Sequence, residues 1–272
     1  MTSRYKVNLA CGSVFVANDD SWVNFDYNPC SSFVKHADLL KPLPLKDSSA
    51  VLLYSSHFLE HIPRPKVFKF LSECFRVLGS GGVIRLVLPD LDNICQTYLR
   101  HRDCGEHEKA NFVVLEMIDQ CVRSNSGGEL GRLYGKLKED IGNYKDLISY
   151  VRERTGENLL ASLSGQQFAK RDVLNRVNAH LERLWIRALV SLLPTAFRTQ
   201  NVSLCSVGER HQWLWDFHQL QDVLQSVGFV AIESCGATSS RYLGFPFHLL
   251  DVDSDGRPRK GVESMYIEAL KP

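Results

Sequence analysis

Short apolar runs alternate with polar turns over the first ninety residues of the chain. Residues 65–78 instead place apolar side chains three and four positions apart, which predicts an amphipathic helix. The GSGG stretch, residues 79–82, is predicted to end this helix and turn the chain into a strand. Short strands separated by connecting segments are typical of a parallel α/β sheet. Five runs are predicted as its strands: residues 5–11, 22–26, 33–38, 50–54 and 83–88.

The spacing becomes mostly helical between about residues 93 and 208. Helical segments are predicted at residues 111–122, 133–154 and 166–193. The last of them carries an apolar stripe formed by Leu174, Val177, Leu181, Leu184, Ala188 and Leu192. A helix at residues 216–227 and strands at 229–234 and 263–270 then resume the first pattern. We therefore predict an α/β domain made of residues 1–92 and 209–272, with residues 93–208 as a helical insertion between strands five and six.

Composition narrows the classes of function. Of the 272 residues 44% are hydrophobic and 23% charged, and the formal net charge of +1 gives no overall field for DNA or membrane. No apolar run reaches the ~20 residues of a transmembrane segment, and the first residues lack the apolar centre of a signal peptide. The eight cysteines form no CxxC pair, which predicts reduced thiols in a cytoplasmic protein.

Small and polar residues follow the predicted strands. An open parallel sheet binds its ligand at the carboxyl ends of its strands, so these residues are predicted to share one site. Gly12 allows the backbone to approach a ligand closely, and Asp26, at the end of the second strand, can accept both hydroxyls of a ribose. Because a GxGxxG fingerprint is absent, a nicotinamide dehydrogenase is a weaker interpretation.

Five stretches carry a family resemblance: VNLACG, FDYNP, ADLLKPLPLKDSSAVLLYSSHFLEHI, FRVLGSGGVIRLVLPDL and ESMYIEALKP. They resemble the class I S-adenosylmethionine-dependent methyltransferases, above all small bacterial enzymes associated with surface-saccharide biosynthesis. The resemblance covers roughly residues 5–92 and 207–272, and it implies a Rossmann-like sheet of seven strands that binds S-adenosylmethionine.

The resemblance also implies roles for single residues. Leu9, Ala10, Cys11, Gly12 and Ser13 would cradle the methionine part of the cofactor, and Ser55 adjoins this group from the end of strand four. Asp26 would bind the ribose hydroxyls, and Asp38 and Leu39 would flank the adenine. Two features depart from the family pattern. Ala10 stands where glycine is more frequent, and only about ten residues separate Gly12 from the second strand, so the first helix must be very short or missing.

The stretch YSSHFLEHIP places His57, Glu60 and His61 where the methyl acceptor must lie. Their spacing puts the three on one helical face. The stretch resembles the E-x-x-E-H run of two metal-dependent groups, the small-RNA 3′-end 2′-O-methyltransferases and the ubiquinone-pathway O-methyltransferases. His211 in GERHQWLW is then the predicted fourth ligand, and such a donor set suits manganese, zinc or iron. Two alternatives stay open: His57 or His211 acts as a metal-free general base, or the cluster is structural.

Other polar groups admit two interpretations each. Asp90 is a candidate either for catalysis or for capping the next helix. Arg210 and Arg241 could hold an anionic group of the acceptor or be solvated. DVDSDG, residues 251–256, matches only half of a calcium-binding loop, so we predict a solvent-facing turn there.

The sequence predicts a methyltransferase acting on a hydroxyl of a saccharide or related small polar metabolite. An RNA 2′-O-methyltransferase is the alternative enzyme, disfavoured by the near-neutral charge. A non-catalytic scaffold that binds a partner through the insertion is the alternative of a different class. The insertion is predicted to form a cap and a homodimer surface.

Overall fold

A computed structural model describes residues 5–160, 181, 184–205 and 208–272. Seven strands form one sheet in the order β3-β2-β1-β4-β5-β7-β6. The first five pair in parallel, and β7 runs antiparallel to both β5 and β6. The strands are β1 Tyr5–Leu9, β2 Trp22–Asp26, β3 Val34–His36, β4 Ala50–Ser56, β5 Leu78–Pro89, β6 Val230–Cys235 and β7 Ser264–Leu270. The predicted seven-strand sheet is confirmed.

The turn predicted at GSGG is wrong. Helix α1, Arg64–Val77, passes directly into β5, which begins at Leu78. The pairing of β4 with β5 jumps from Ala50↔Leu78 to Leu52↔Val83, so residues 79–82 bulge out within the strand. A bulge and a turn both favour glycine, and the sequence signal did not distinguish them.

The first helix is missing, as its short spacing predicted. Residues 10–21 form a loop without helix between β1 and β2. Two buried asparagines hold this loop on the sheet: the side-chain amide of Asn8 donates to the carbonyl of Val14 at 3.1 Å, and that of Asn24 to the carbonyl of Val16 at 2.9 Å.

The insertion consists of short helices around a core of its own that includes Phe112, Leu137 and Val151. The helix predicted at residues 133–154 is divided into two helices, Gly128–Glu139 and Lys145–Thr155. The further helices are α2 Leu91–Asp103, α3 His107–Val114 with a π-helical turn Leu115–Asp119, α4 Gln120–Val122, α5 Gly128–Glu139, α6 Lys145–Thr155, α7 Thr195–Asn201 and α8 Phe217–Val227, and residues 184–191 are also helical. A 3₁₀ turn, Leu59–His61, follows β4, and a kinked helical turn, Phe247–Leu250, precedes β7.

The apolar stripe of the last insertion helix is only partly described. Leu174 and Val177 lie outside the described residues. Leu181, Leu184 and Leu192 are exposed, and so is Ala188. The described part of the stripe is therefore not buried within this chain.

The insertion is tied to the chain segment that enters β7. The backbone amide of Val262 donates to the carbonyl of Glu153 at 3.2 Å, and that of Glu263 donates to the carbonyl of Arg154 at 3.1 Å. A β-carbon added to Gly261, whose φ is +66°, would lie 2.0 Å from the Arg154 carbonyl oxygen, so only glycine allows this approach. The contact holds Glu263 in a defined place at the start of β7.

The solvent-facing turn predicted for DVDSDG is wrong at its first two residues, since both Asp251 and Val252 are buried. Asp251 is 1% exposed, and its carboxylate accepts from Arg85 Nε and from the Tyr54 hydroxyl, both at 2.8 Å. Arg85, fully buried, also donates to Glu268 Oε1 at 2.7 Å. Residues 254–256 are exposed, as predicted.

Two predictions from composition can be compared with the structure. All eight cysteines are free thiols. Within the described ranges, no helix combines the length and apolar character that crossing a membrane requires.

Candidate active site

The carboxyl ends of five parallel strands bring the predicted site residues onto one edge of the sheet. Read along β3, β2, β1, β4 and β5, this edge carries Asp38, Asp26, Gly12, His57 and Asp90. The chain places β2 and β3 on one side of β1 and then returns to place β4 on the other side. The order of the strands therefore reverses between β1 and β4. That reversal is where open α/β sheets bind ligands.

Asp26 organises the backbone at the tip of β1. Its Oδ2 accepts from the amide of Gly12 at 2.8 Å, and its Oδ1 accepts from the amide of Asn28 at 2.8 Å. Each carboxylate oxygen keeps a lone pair after these bonds. Ala10 and Gly12 both have φ of +54°, so the position that departs from the family, Ala10, adopts a backbone conformation that favours glycine.

The other residues of the predicted cofactor group lie around this tip. The Ser55 hydroxyl donates to the carbonyl of Leu9 at 3.2 Å, which joins β4 to β1. Asp38 accepts from the amide of Leu40 at 3.1 Å, and this hydrogen bond lowers the pKa of its carboxyl. Cys11 and Leu39 are buried, whereas Ser13 is exposed.

Glu60, His61 and His211 come together beyond the end of β4. The Glu60 carbonyl accepts from the amide of Gln212 at 2.6 Å, and the amide of His211 donates to the carbonyl of Gln120 in the insertion at 3.0 Å. These backbone bonds bring two distant segments together. One potential ligand atom from each of the three side chains lies within 4.8 Å of the others.

His57 lies beside this trio and outside it. Its φ is +50°, and its Nδ1 is 3.5 Å from Glu60 Oε1. Its Nε2 lies 2.9 Å from the Ser264 hydroxyl oxygen at the start of β7. Of the four predicted metal ligands, the structure therefore groups three and places the fourth next to them.

Burial controls the electrostatics of the cluster. Glu60 is 1% exposed, neither carboxylate oxygen has a hydrogen-bond partner among the described residues, and burial raises its pKa to about 8. Burial lowers the pKa of His57 well below its usual value and that of His211 to about 3. The pKa of His61 is lowered for the same reason. The imidazoles are therefore neutral at neutral pH, the form that binds metal ions.

A cavity of about 340 Å³ opens beside the cluster, between the carboxyl edge of the sheet and the insertion. This volume is sufficient for a small ligand. Its walls include His57, His61, Pro89, Glu116, Gln120, Arg123, Tyr134, Glu157, His211, Lys260 and Glu263. The predicted cap thus contributes walls of this cavity.

Sequence reasoning missed Glu116, Arg123, Lys260 and Glu263, which all line the cavity. Glu116 and Arg123 come from the insertion, where no resemblance guided the search. Glu263 precedes β7, and because β7 is antiparallel its first residue lies at the carboxyl edge of the parallel strands. The direction of the last strand is the signal that could have indicated Glu263.

Several polar candidates have structural partners. The Asp90 side chain accepts from the amide of Asp92 and caps α2. Arg241 pairs with Glu233, with its Nε 3.0 Å from Oε1. Arg210 donates through Nη2 to the carbonyl of Cys121 at 3.1 Å. These contacts support the structural interpretation of each residue.

Comparison with known proteins finds one family model that matches part of the chain. A family model described as a methyltransferase domain matches residues 16–86. No curated protein sequence matches the chain.

Three solved structures are similar over nearly the whole chain. A methyltransferase from Thermotoga maritima, described as a possible histamine N-methyltransferase, has 12% identity over 98% of this chain and 82% of that one, with a TM-score of 0.38. An Archaeoglobus fulgidus methyltransferase has 12% identity over 98% and 86%, with a TM-score of 0.41. Phosphoethanolamine N-methyltransferase 2 of Haemonchus contortus, solved with S-adenosyl-L-methionine, has 9% identity over 100% and 49%, with a TM-score of 0.37. At such scores these likenesses assign no function.

The chain's own strand order is the stronger finding. A sheet ordered β3-β2-β1-β4-β5-β7-β6, with β7 antiparallel, is the Rossmann-like fold of class I methyltransferases. Fold and domain match together support S-adenosylmethionine-dependent methyltransferase activity for this protein.

Proposed function

We propose that the protein transfers the methyl group of S-adenosylmethionine to a hydroxyl of a saccharide or related small polar acceptor, with a divalent metal ion at Glu60, His61 and His211. The observation that carries the proposal is the buried Glu60 carboxyl, which has no hydrogen-bond partner among the described residues yet faces two neutral imidazoles. A buried carboxylate without a partner is costly, and a bound cation would remove that cost.

The tip of β1 fits the cofactor. Asp26 keeps acceptor capacity on both oxygens while it fixes the amides of Gly12 and Asn28, so it can also accept the two ribose hydroxyls. Among the described residues, no atom outside its chain neighbours lies within 4 Å of the place where a Gly12 side chain would begin, so the backbone there is open to a ligand. When bound, the cofactor supplies a methyl group already activated by its sulfonium.

The trio fits a divalent metal ion. Two imidazole nitrogens and one carboxylate oxygen form a set that suits zinc, manganese or iron and leaves coordination positions open for an acceptor. His61 Nδ1 donates to the Arg210 carbonyl at 2.9 Å, which fixes the tautomer and leaves Nε2 free to bind. A cation held there would lower the pKa of a bound hydroxyl and orient it.

The residues of the chain then have three tasks in the reaction. Asp26 and the β1 tip position the methyl donor. Glu60, His61 and His211 would hold the metal ion, which would orient the acceptor hydroxyl. The insertion covers the cavity through Glu116, Gln120 and Arg123, and so limits the access of water.

The lining of the cavity supports a polyhydroxyl acceptor. Buried polar atoms without a partner among the described residues include Glu116 Oε1, Arg123 Nε and His211 Nδ1, and all three side chains line this cavity. Both acceptors and donors are left over, which matches the hydroxyl groups of a sugar better than an apolar substrate.

A methyl-transfer screen tests the proposal. Protein supplied with manganese and methyl-labelled S-adenosylmethionine is incubated with free sugars, nucleotide sugars, lipid-linked glycans and short RNAs. We expect label on a saccharide hydroxyl, and no label on the matched deoxy sugar that lacks this hydroxyl. Transfer to RNA alone would establish the alternative enzyme, and transfer to an amine would contradict O-methylation.

A further inference from the structure

We propose that Glu263 is the general base of the reaction and removes the proton of the acceptor hydroxyl as the methyl group arrives. This inference rests on the proposed function and names the residue that handles the proton, in place of the His57 or His211 base that the sequence left open.

The position of Glu263 is the first argument. It is 7% exposed and lines the same cavity as His57, His61 and His211. Its backbone is held on both sides, because its carbonyl accepts from the amide of Asp90 at 3.0 Å and its amide donates to the carbonyl of Arg154. A buried carboxyl on a fixed backbone is well placed to meet a bound acceptor.

A chain of polar contacts links Glu263 to the proposed metal site. Glu263 Oε1 lies 3.3 Å from the Ser264 hydroxyl oxygen, which lies 2.9 Å from His57 Nε2. His57 Nδ1 in turn lies 3.5 Å from Glu60 Oε1. Ser264 and His57 are therefore positioning residues that hold the carboxyl of Glu263 relative to Glu60.

The competing groups are less suited to the task. His211 is one of the three proposed metal ligands, so its ring is engaged in the metal site. Asp90 caps α2 through its side chain. Glu116 is engaged by Arg154, whose Nε donates to its Oε2. Burial raises the pKa of Glu263 to about 8, near the pH at which a general base is most effective.

The proton and the electrons balance in one step. The acceptor O–H bond breaks, and its proton passes to the Glu263 carboxylate. The acceptor oxygen forms its bond to the methyl carbon, while the electrons of the broken carbon–sulfur bond stay on sulfur, which becomes a neutral thioether. No oxidant or further reactant is needed.

The pH dependence follows from the groups around Glu263. Glu116 and Arg154 face it from the insertion, Glu60 from the segment after β4, and Lys260 from its own loop, while Ser264 connects it to His57. Burial and the two glutamates raise its pKa, whereas Arg154 and Lys260 oppose this. Because the base must be ionised, kcat should rise with pH up to about 8 and then level off.

Glu263→Gln tests the assignment, with Glu139→Gln, an exposed acid at the end of α5 and outside the cavity walls, as the control. We expect Glu263→Gln to lower kcat about 100-fold to 10,000-fold and to abolish its rise with pH, since a positioned base contributes that much. KM for the acceptor, metal content and cofactor binding should change little. The control should keep both the rate and the pH profile.

The possible outcomes distinguish a failure of the Glu263 assignment from a failure of the proposed function. Wild-type protein that methylates no acceptor contradicts the proposed function itself. If the wild-type protein is active and Glu263→Gln keeps its rate and its pH profile, the general-base assignment is overturned, while the proposed function stands. If Glu263→Gln does not fold, Glu263→Asp is measured instead. This variant should have a lower kcat that still rises with pH. A kcat of Glu263→Asp that no longer rises with pH would overturn the assignment.

Discussion

Replacing His61 with alanine is expected to release the divalent metal ion and to lower kcat at least about 100-fold. The change removes one of the three proposed ligands and leaves only Glu60 and His211 of the trio. Two ligands do not hold a cation firmly, and without the cation the hydroxyl keeps its high pKa. Elemental analysis of gently purified protein measures the loss of metal, and the rate at saturating acceptor measures the loss of kcat.

His218→Ala is the matched control for this substitution. His218 is an exposed histidine near the start of α8 and belongs to neither the trio nor the cavity walls. It should leave metal content and rate unchanged. Wild-type protein that contains no metal and keeps its activity in chelator would end the metal proposal, while the methyltransferase assignment would stand.

Replacing Asp251 with alanine is expected to lower the free energy of unfolding by about 3–5 kcal/mol. Arg85 is fully buried, and its guanidinium depends on Asp251 and Glu268 to balance its charge. Removing one partner leaves a buried charge partly uncompensated and also removes the acceptor of the Tyr54 hydroxyl. Urea unfolding at neutral pH measures the change.

Asp255→Ala is the control in the same loop. Its carboxylate is exposed, and its nearest cation is Arg152 Nη2 at 4.0 Å, so the substitution should change the free energy of unfolding by no more than about 0.5 kcal/mol. Equal stability of the two variants would show that the buried pair does not hold the loop to the sheet.

The sheet and its polar edge could be predicted because both follow from local rules. Buried strands are continuous apolar runs, and the residues that end them, such as Gly12 and Asp26, stand directly after those runs in the sequence. The missing first helix was predictable from chain length alone. His211 could be assigned to the cluster only through the resemblance, since about 150 residues separate it from His61.

The rest depends on contacts between distant segments. Asp251 looks like a loop acid in the sequence, and its burial follows from Arg85 on β5. Glu263 became a candidate only when the antiparallel direction of β7 brought it to the cavity. The insertion residues that line the cavity, such as Glu116, are brought there by the packing of helices, which no short sequence pattern encodes.

Calorimetric titration with S-adenosylmethionine tests the central claim most directly. We expect wild-type protein to bind one cofactor molecule per chain, and Asp26→Asn to weaken binding about 10-fold to 100-fold through the lost hydrogen bonds to a charged acceptor. Asp19→Asn, which alters an acid that accepts from Ser21 just before β2, should bind as wild type does. Folded wild-type protein that gives no heat of binding with metal present would contradict the account.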